Sequence, residues 1–346
     1  MDEKVKIGFV GCGGHATRSI YPSLKLIDDA ELVAICDLRE DRLSKNKERF
    51  CPKRIYRDVN KMLSEEKLDG VIIIGPPDMH YKIGKLYLEH RLPIFVDKPC
   101  AMNSKQAEEL AEIARKNGVF GCVGYMKRAS TSYRMAKEIT QKEEFGEITG
   151  IEIYFSNGPY PAIWGMDEGP HSFLIGQVIH IFNLVRFFCG EVKEVYANLN
   201  KIDDSHFWYG INISFENGIF GIMNLNSVDS SQEKWGIGER VIISGYECRV
   251  EIEDMLKVRY FSKSKLLPMD GYYGRTQKIV WEPDWVELHT CTNLGILGYL
   301  GEIKNFIMAI QGKEKPLSSL EDGMKDLKIA EAIWESANKK KIVKIT

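Results

Sequence analysis

"KIGFVGCGGHA", residues 6–16, is a short apolar run that ends in glycines. The run reads as a strand, and the segment that follows it, "SIYPSLKLI", has helical periodicity. Gly11 and Gly13 match the first two glycines of a dinucleotide fingerprint, and Ala16 stands where its third glycine is sometimes alanine. Each position has a physical job. One glycine turns the chain, one lets the backbone approach a pyrophosphate, and a small third residue lets helix and strand pack closely. Gly14 and His15, inside the same turn, then face the anion at a helix N-terminus. About 20 residues on, Asp37 ends a second apolar run, "ELVAICD", where an acid accepts the ribose hydroxyls. A carboxylate there favours NAD, since it would repel a 2′-phosphate. Arg39, two residues later, keeps NADP open.

The alternation continues outward from this turn. "GVIIIG", "PIFVD" and "VFGCVGY" are further apolar runs, separated by "MHYKIGKLYLEH" and "SKQAEELAEIARKNG". The last of these opens with Asn103 or Ser104 as a cap and closes on Gly118. Strands alternating with helices predict an α/β unit, a doubly wound parallel sheet covered on both faces. Ligands of such sheets bind at the carboxyl ends of the strands. Two strand ends draw notice. "GPPDMH" places Pro76 and Pro77 in a rigid loop suited to lie along a cofactor ribose, with His80 touching the cofactor, capping the next helix or facing solvent. "IFVDKPCAM", residues 94–102, sets Asp97, Lys98 and Pro99 in a row where a strand stops.

Composition sets bounds. The 346 residues suit two domains, and a net charge of −2 gives no footprint for nucleic acid and no polybasic membrane anchor. The longest apolar runs are too short for a membrane span, and the N-terminus has no signal-peptide architecture. Eight scattered cysteines form no CxxC or other metal-ligand spacing, so no metal is expected and a reducing cytoplasm is.

After "VGYMKR" the pattern changes to period two. "EITGIEIYFSN", "VKEVYANLN", "FWYGINISFENGIFGIMNLNSV", "ERVIISGYECRVEIED" and "LKVRYF" predict a large, mostly antiparallel sheet open on one face. We read residues 1–125 as a dinucleotide-binding domain and 126–346 as a substrate-binding, oligomerising α+β domain. Within "PHSFLIGQVIHIFNLVRFFCG", Gly176, His180 and Asn183 fall at i, i+4 and i+7, one stripe on a helix. On the substrate side, Arg128 suits a phosphate or carboxylate, Trp164 suits a sugar ring, and His171 is a further candidate. The aromatic stretch "DGYYGRTQKIVWEPDW" reads as a loop over the site or a subunit contact.

Taken together, "GFVGCGGHA", "AICDLREDR", "GPPDMHYKIGKLYLEHRLPIFVDKP", "VGYMKR", "GQVIHIFNLVRFFCGEV" and the final "EIKNFIMAIQGKEKP…KKKIV" resemble the Gfo/Idh/MocA family, the glucose–fructose oxidoreductase and inositol dehydrogenase group. The resemblance implies an NAD(P)-dependent oxidoreductase acting on a secondary alcohol of a sugar, sugar derivative or cyclitol. It implies that Lys98 lies beside the nicotinamide and polarises the substrate, that Asp97 belongs to the cofactor side, and that His180 takes the hydroxyl proton. It also implies a homodimer or homotetramer packed sheet to sheet. Two positions depart from the family pattern. Asp97 stands for a glutamate, and Gly176 stands for a catalytic aspartate. A glycine inside a helix costs ~1 kcal/mol relative to alanine, so something needs the room. A bulkier substrate, another carboxylate (Asp167 or Glu168) and lost redox activity are the alternatives. They leave open a non-redox sugar-modifying enzyme using NAD transiently and a catalytically impaired regulatory protein.

Overall fold

In the computed structural model, residues 3–229, 238–263, 276–283 and 293–345 are described. The chain divides into two compact units, residues 1–129 with 298–328, and residues 130–297 with 329–346.

The first unit is built on six parallel strands, β1 (Val5–Val10), β2 (Ala30–Cys36), β3 (Arg54–Tyr56), β4 (Gly70–Ile73), β5 (Ile94–Asp97) and β6 (Gly121–Gly124), in the order β3-β2-β1-β4-β5-β6. The order reverses at β1, so the glycine turn after β1 sits at the topological switch point, where ligands of open α/β sheets bind. β4 and the core of β5 are buried throughout because helices cover both faces. The strands predicted from the apolar runs are present. β3, three residues long and exposed at its first two, is additional, so Lys98 follows the fifth strand rather than the fourth. Asn103 caps the helix Ser104–Asn117 by accepting from Gln106 N–H at 3.0 Å, and Gly118 ends it in the left-handed region (φ 67°).

The single break expected at residue 126 is corrected by the segment 298–328. Its helix Tyr299–Ile310 carries Ile303, Phe306 and Ile307 on one stripe, and these complete the core that β1, β2, β4 and β5 form with Phe9, Ile35, Ile72 and Phe95. Such an apolar stripe shows which face of a helix is buried, but not which unit buries it.

The second unit holds a nine-stranded sheet. Its strands are β7 (Gly150–Ser156), β8 (Val192–Lys201), β9 (Phe207–Phe215), β10 (Phe220–Asn226), β11 (Gly238–Ser244), β12 (Arg249–Glu253), β13 (Lys257–Lys263), β14 (Thr276–Trp281) and β15 (Val343–Lys344), in the order β14-β13-β12-β11-β7-β10-β9-β8-β15. β7 and β10 run parallel; the other pairings are antiparallel. One face packs on helices, with Phe173 against Phe155 and Phe207 at ring distances of 6.1 and 5.3 Å. On the other, Trp208, Phe220 and Ile222 are exposed. Of the aromatic stretch 270–285, residues 276–283 hold β14, and the rest lies outside the described residues.

The helix expected over 170–190 is two helices, Gly169–Gly176 and Ile179–Cys189, bent by 46°. At the break, Val178 N–H reaches back five residues to Phe173 O at 3.0 Å, a π-type turn, and such turns are a known cause of kinks. The straight stripe through Gly176, His180 and Asn183 is therefore interrupted after Gly176. Among the described residues no single helix is long and apolar enough to cross a membrane; this bent pair passes by length and composition together, and most of its residues are buried within the unit.

Candidate active site

In the first unit the glycine turn is fixed from beneath. Gly11 N–H donates to Cys36 O at 2.8 Å, and Gly11 has φ 101° with the Ile74 carbonyl where a side chain would begin. Only glycine fits there. At Gly13 an added Cβ would meet only the Arg42 guanidinium at 3.9 Å, and at Gly14 it would meet nothing within 4 Å. That open space above the start of a helical run (14–25, its middle turn Ala16–Ile20 wound as a π-helix) suits a pyrophosphate. Ala16 is fully buried, as close packing of this helix requires.

Asp37 ties the turn to the second strand end. Its Oδ2 accepts from Cys12 N–H at 2.7 Å and its Oδ1 from Arg39 N–H at 2.8 Å. A carboxylate offers about four acceptor positions, so the outer ones remain for ribose hydroxyls. The Arg39 guanidinium is exposed and held by Asp41 at 2.9 Å. The glycine turn, the open space and the acceptor at Asp37 together fit a dinucleotide.

His80 is corrected: it neither caps a helix nor faces solvent, and its ring nitrogens are not open to a cofactor. It is fully buried, its Nε2 accepts from Gly75 N–H at 2.9 Å, and its Nδ1 lies 2.9 Å from Pro99 O, to which it donates. With both nitrogens engaged and burial holding its pKa below the usual histidine value, it is a neutral tie between two strand-end loops. Pro76 is exposed at the N-cap of the helix Pro77–Glu89, and Pro77 is buried at its first turn.

Lys98 stands at the next strand end, half-buried, joined to Pro99 by a cis peptide. Asp97 Oδ1 accepts from Lys98 N–H at 2.8 Å, and Asp97 Oδ2 lies 3.3 Å from His15 Nε2. The His15 ring in turn stands edge-on to Tyr299 at 5.5 Å. Burial lowers the Lys98 pKa, opposed by the carboxylates of Asp97 and Glu302. Two members of this cluster were missed in the sequence. Lys127, past the end of β6, is buried, and its pKa is driven far down by burial and then by the Lys98 charge. Glu302 is buried with its Oε2 lacking a hydrogen-bond partner among the described residues, and burial together with Asp97 raises its pKa well above the carboxylate range. A signal was there for Glu302: it shares the apolar stripe of Tyr299, Ile303 and Phe306. For Lys127 the signal was position, a lysine past a strand end like Lys98.

Arg128 is not open to a ligand as expected. Its guanidinium donates to Leu317 O at 2.8 Å and pairs with Asp322 at 3.5 Å, with the side chain 11% exposed. It fastens the chain where the segment 298–328 returns.

In the second unit, His180 is half-buried on the helix after the break, and Asn183 is buried one turn on. His171 stacks flat on Trp334 at 4.8 Å, and burial lowers its pKa. Trp164 is partly exposed, in the left-handed region (φ 55°), with its ring beside Gly176. The expected substitute carboxylates are elsewhere engaged or exposed: Glu168 pairs with Lys201 at 2.8 Å, and Asp167 faces solvent. Among the described residues no group of three or more His, Cys, Asp or Glu side chains is placed to hold a metal ion.

Comparison with known proteins bears on the fold and the family. Residues 5–125 match the model of an oxidoreductase family with an NAD-binding Rossmann fold, and residues 133–251 match the GFO/IDH/MocA C-terminal domain. Myo-inositol 2-dehydrogenase of Thermotoga maritima is 24% identical over 99% of this chain and 98% of its own length. A dehydrogenase structure from Chromobacterium violaceum superposes with TM-score 0.88 at 23% identity, covering 98% of this chain and 97% of that one. An oxidoreductase from Agrobacterium radiobacter, solved in complex with NAD+, L-tartaric acid and magnesium, superposes with TM-score 0.84 at 19% identity, covering 99% and 98%. With both family domains matched in order, the chain belongs to the Gfo/Idh/MocA oxidoreductase family, and its first unit is that family's NAD-binding Rossmann fold.

Proposed function

We propose that this chain moves a hydride between nicotinamide and a secondary alcohol of a sugar, sugar derivative or cyclitol. The observation that carries the reading is one arrangement in the first unit. A glycine turn open above Gly13 and Gly14, a ribose acceptor at Asp37 and a desolvated lysine at position 98 all stand at carboxyl ends of the same parallel sheet. When bound, NAD+ supplies the hydride acceptor. Gly11 to Ala16 and Asp37 hold it; Pro76 lines its path. Lys98 donates a hydrogen bond to the reacting oxygen and stabilises negative charge developing there. His180 accepts the hydroxyl proton, for which imidazole has a suitable basicity. The inositol relative supports a polyol substrate.

We place the enzyme in the cytoplasm, since the seven described cysteines are all free thiols. We further propose a homo-oligomer. Phe220 and Ile222 on β10 and Trp208 on β9 share a sheet face on which they are exposed among the described residues, and a second copy would bury them.

Asp37→Asn is expected to weaken NADH binding about 10–100-fold, the worth of charge-assisted hydrogen bonds, and to narrow the preference over NADPH. Titration by energy transfer from tryptophan to the reduced nicotinamide checks this. Unchanged NADH affinity would remove the ribose role, and binding of neither nucleotide by the wild type would sink the functional reading.

A second expectation concerns pH. The Asp97 carboxylate favours the charged form of Lys98, against burial. Removing it in Asp97→Asn lowers the Lys98 pKa further, so the charged form is lost sooner as pH rises. The alkaline limb of the kcat/KM profile should move to lower pH. A limb that stays in place or moves upward would argue against Lys98 acting as an ammonium.

A further inference from the structure

Gly176 is buried at the last position of its helix, four residues before His180. A Cβ there would lie 2.5 Å from the Tyr160 hydroxyl oxygen, 3.1 Å from Ile163 Cδ1 and 3.2 Å from Trp164 Cη2. A side chain at 176 would thus push the Tyr160 hydroxyl from this position, and glycine leaves the phenol its place. The segment is clamped to this helix rather than merely near it. Ile163 N–H donates to Ser172 Oγ at 3.1 Å, Tyr160 N–H donates to Ser205 O at 2.9 Å, and the Tyr160 ring stands edge-on to Phe173 at 5.3 Å. Trp164 closes it in a backbone region that bulky residues avoid, and such outliers persist where surrounding packing imposes them. The result is a polar atom delivered by a loop to a helix position that carries no side chain, at the break preceding His180.

We propose that Tyr160 is a substrate-binding residue of this site, its hydroxyl donating a hydrogen bond to a substrate oxygen adjacent to the one His180 serves. The inference rests on the reading of His180 as the base. The phenol is held neutral, its pKa pushed up to about 12 by burial, so it remains a donor at working pH. A neutral donor in place of a helix carboxylate also sets the substrate class. It suits an acceptor oxygen, and it does not repel a substrate carboxylate, so sugar acids fit as well as neutral polyols.

The test is steady-state kinetics with NAD+ and a panel of cyclitols, sugars and sugar acids. Tyr160→Phe removes the hydroxyl and keeps the ring and its contact with Phe173. KM for the polyol is expected to rise about tenfold, the worth of one net hydrogen bond, with kcat changed much less. Gly176→Ala should displace the hydroxyl and give a similar rise. The double variant should be no worse than either single one, since both remove the same contact. Unchanged KM in Tyr160→Phe, or additive losses in the pair, would overturn the proposal. A wild type that yields no NADH with any member of the panel would instead overturn the functional reading, and this inference with it.

Discussion

Replacing Lys98 with methionine is expected to lower kcat about 10²–10³-fold, the usual effect of removing one group that stabilises a developing oxyanion. Stability should not follow activity. Lys98 holds an ammonium where burial disfavours charge. Methionine has similar length and no charge; it removes the desolvated ammonium but also takes the countercharge from the Asp97 and Glu302 carboxylates, so the two effects on stability oppose each other. The expected signature is therefore a lost reaction in a protein that still folds and still binds NADH. Retained turnover would show that Lys98 is there only for its stem.

His180→Ala is expected to lower kcat about 10²–10⁴-fold, the range for a positioned general base. The defect should be largest near neutral pH and shrink as pH rises, because hydroxide then competes as base. NADH binding should be unaffected, since the groups read as holding the nucleotide are Gly11 to Ala16 and Asp37. A pH-independent loss would mark a packing role instead. Kinetics of the variant from pH 6 to 10, run beside a nucleotide titration, separate the two.

Much of the fold was legible because its signals are local. Apolar runs that end in glycine, acid or proline mark β1, β2, β4 and β5, and the period-two segments mark β7 to β13. β3 escaped because three residues, two of them exposed, carry no periodicity. The interrupted helix at 177–178 escaped because its cause is a backbone hydrogen bond five residues back, which apolar spacing does not encode. The candidate site was legible where a residue type marks a strand end, as the glycine, acid and lysine at Gly11, Asp37 and Lys98 do. It was not where partners decide the role. His80 and Arg128 have the right side chains at inviting places, yet hydrogen bonds to Gly75, Pro99 and Leu317 commit them to the scaffold. Glu302 lies about 200 residues from Asp97 in sequence, and only the return of the segment 298–328 to the first unit brings it there. Gly176 illustrates the converse. Its missing side chain reads as a loss in the sequence, whereas the structure fills the place with the hydroxyl of Tyr160.

The measurement that tests the central claim most directly is formation of NADH from NAD+ by the wild type and by Lys98→Met, each offered the same panel of cyclitols and sugars. The account predicts NADH formation by the wild type that depends on hydroxyl stereochemistry and falls about 10²–10³-fold in the variant. Nucleotide binding without NADH formation from any member of the panel, or equal formation by both proteins, would contradict it.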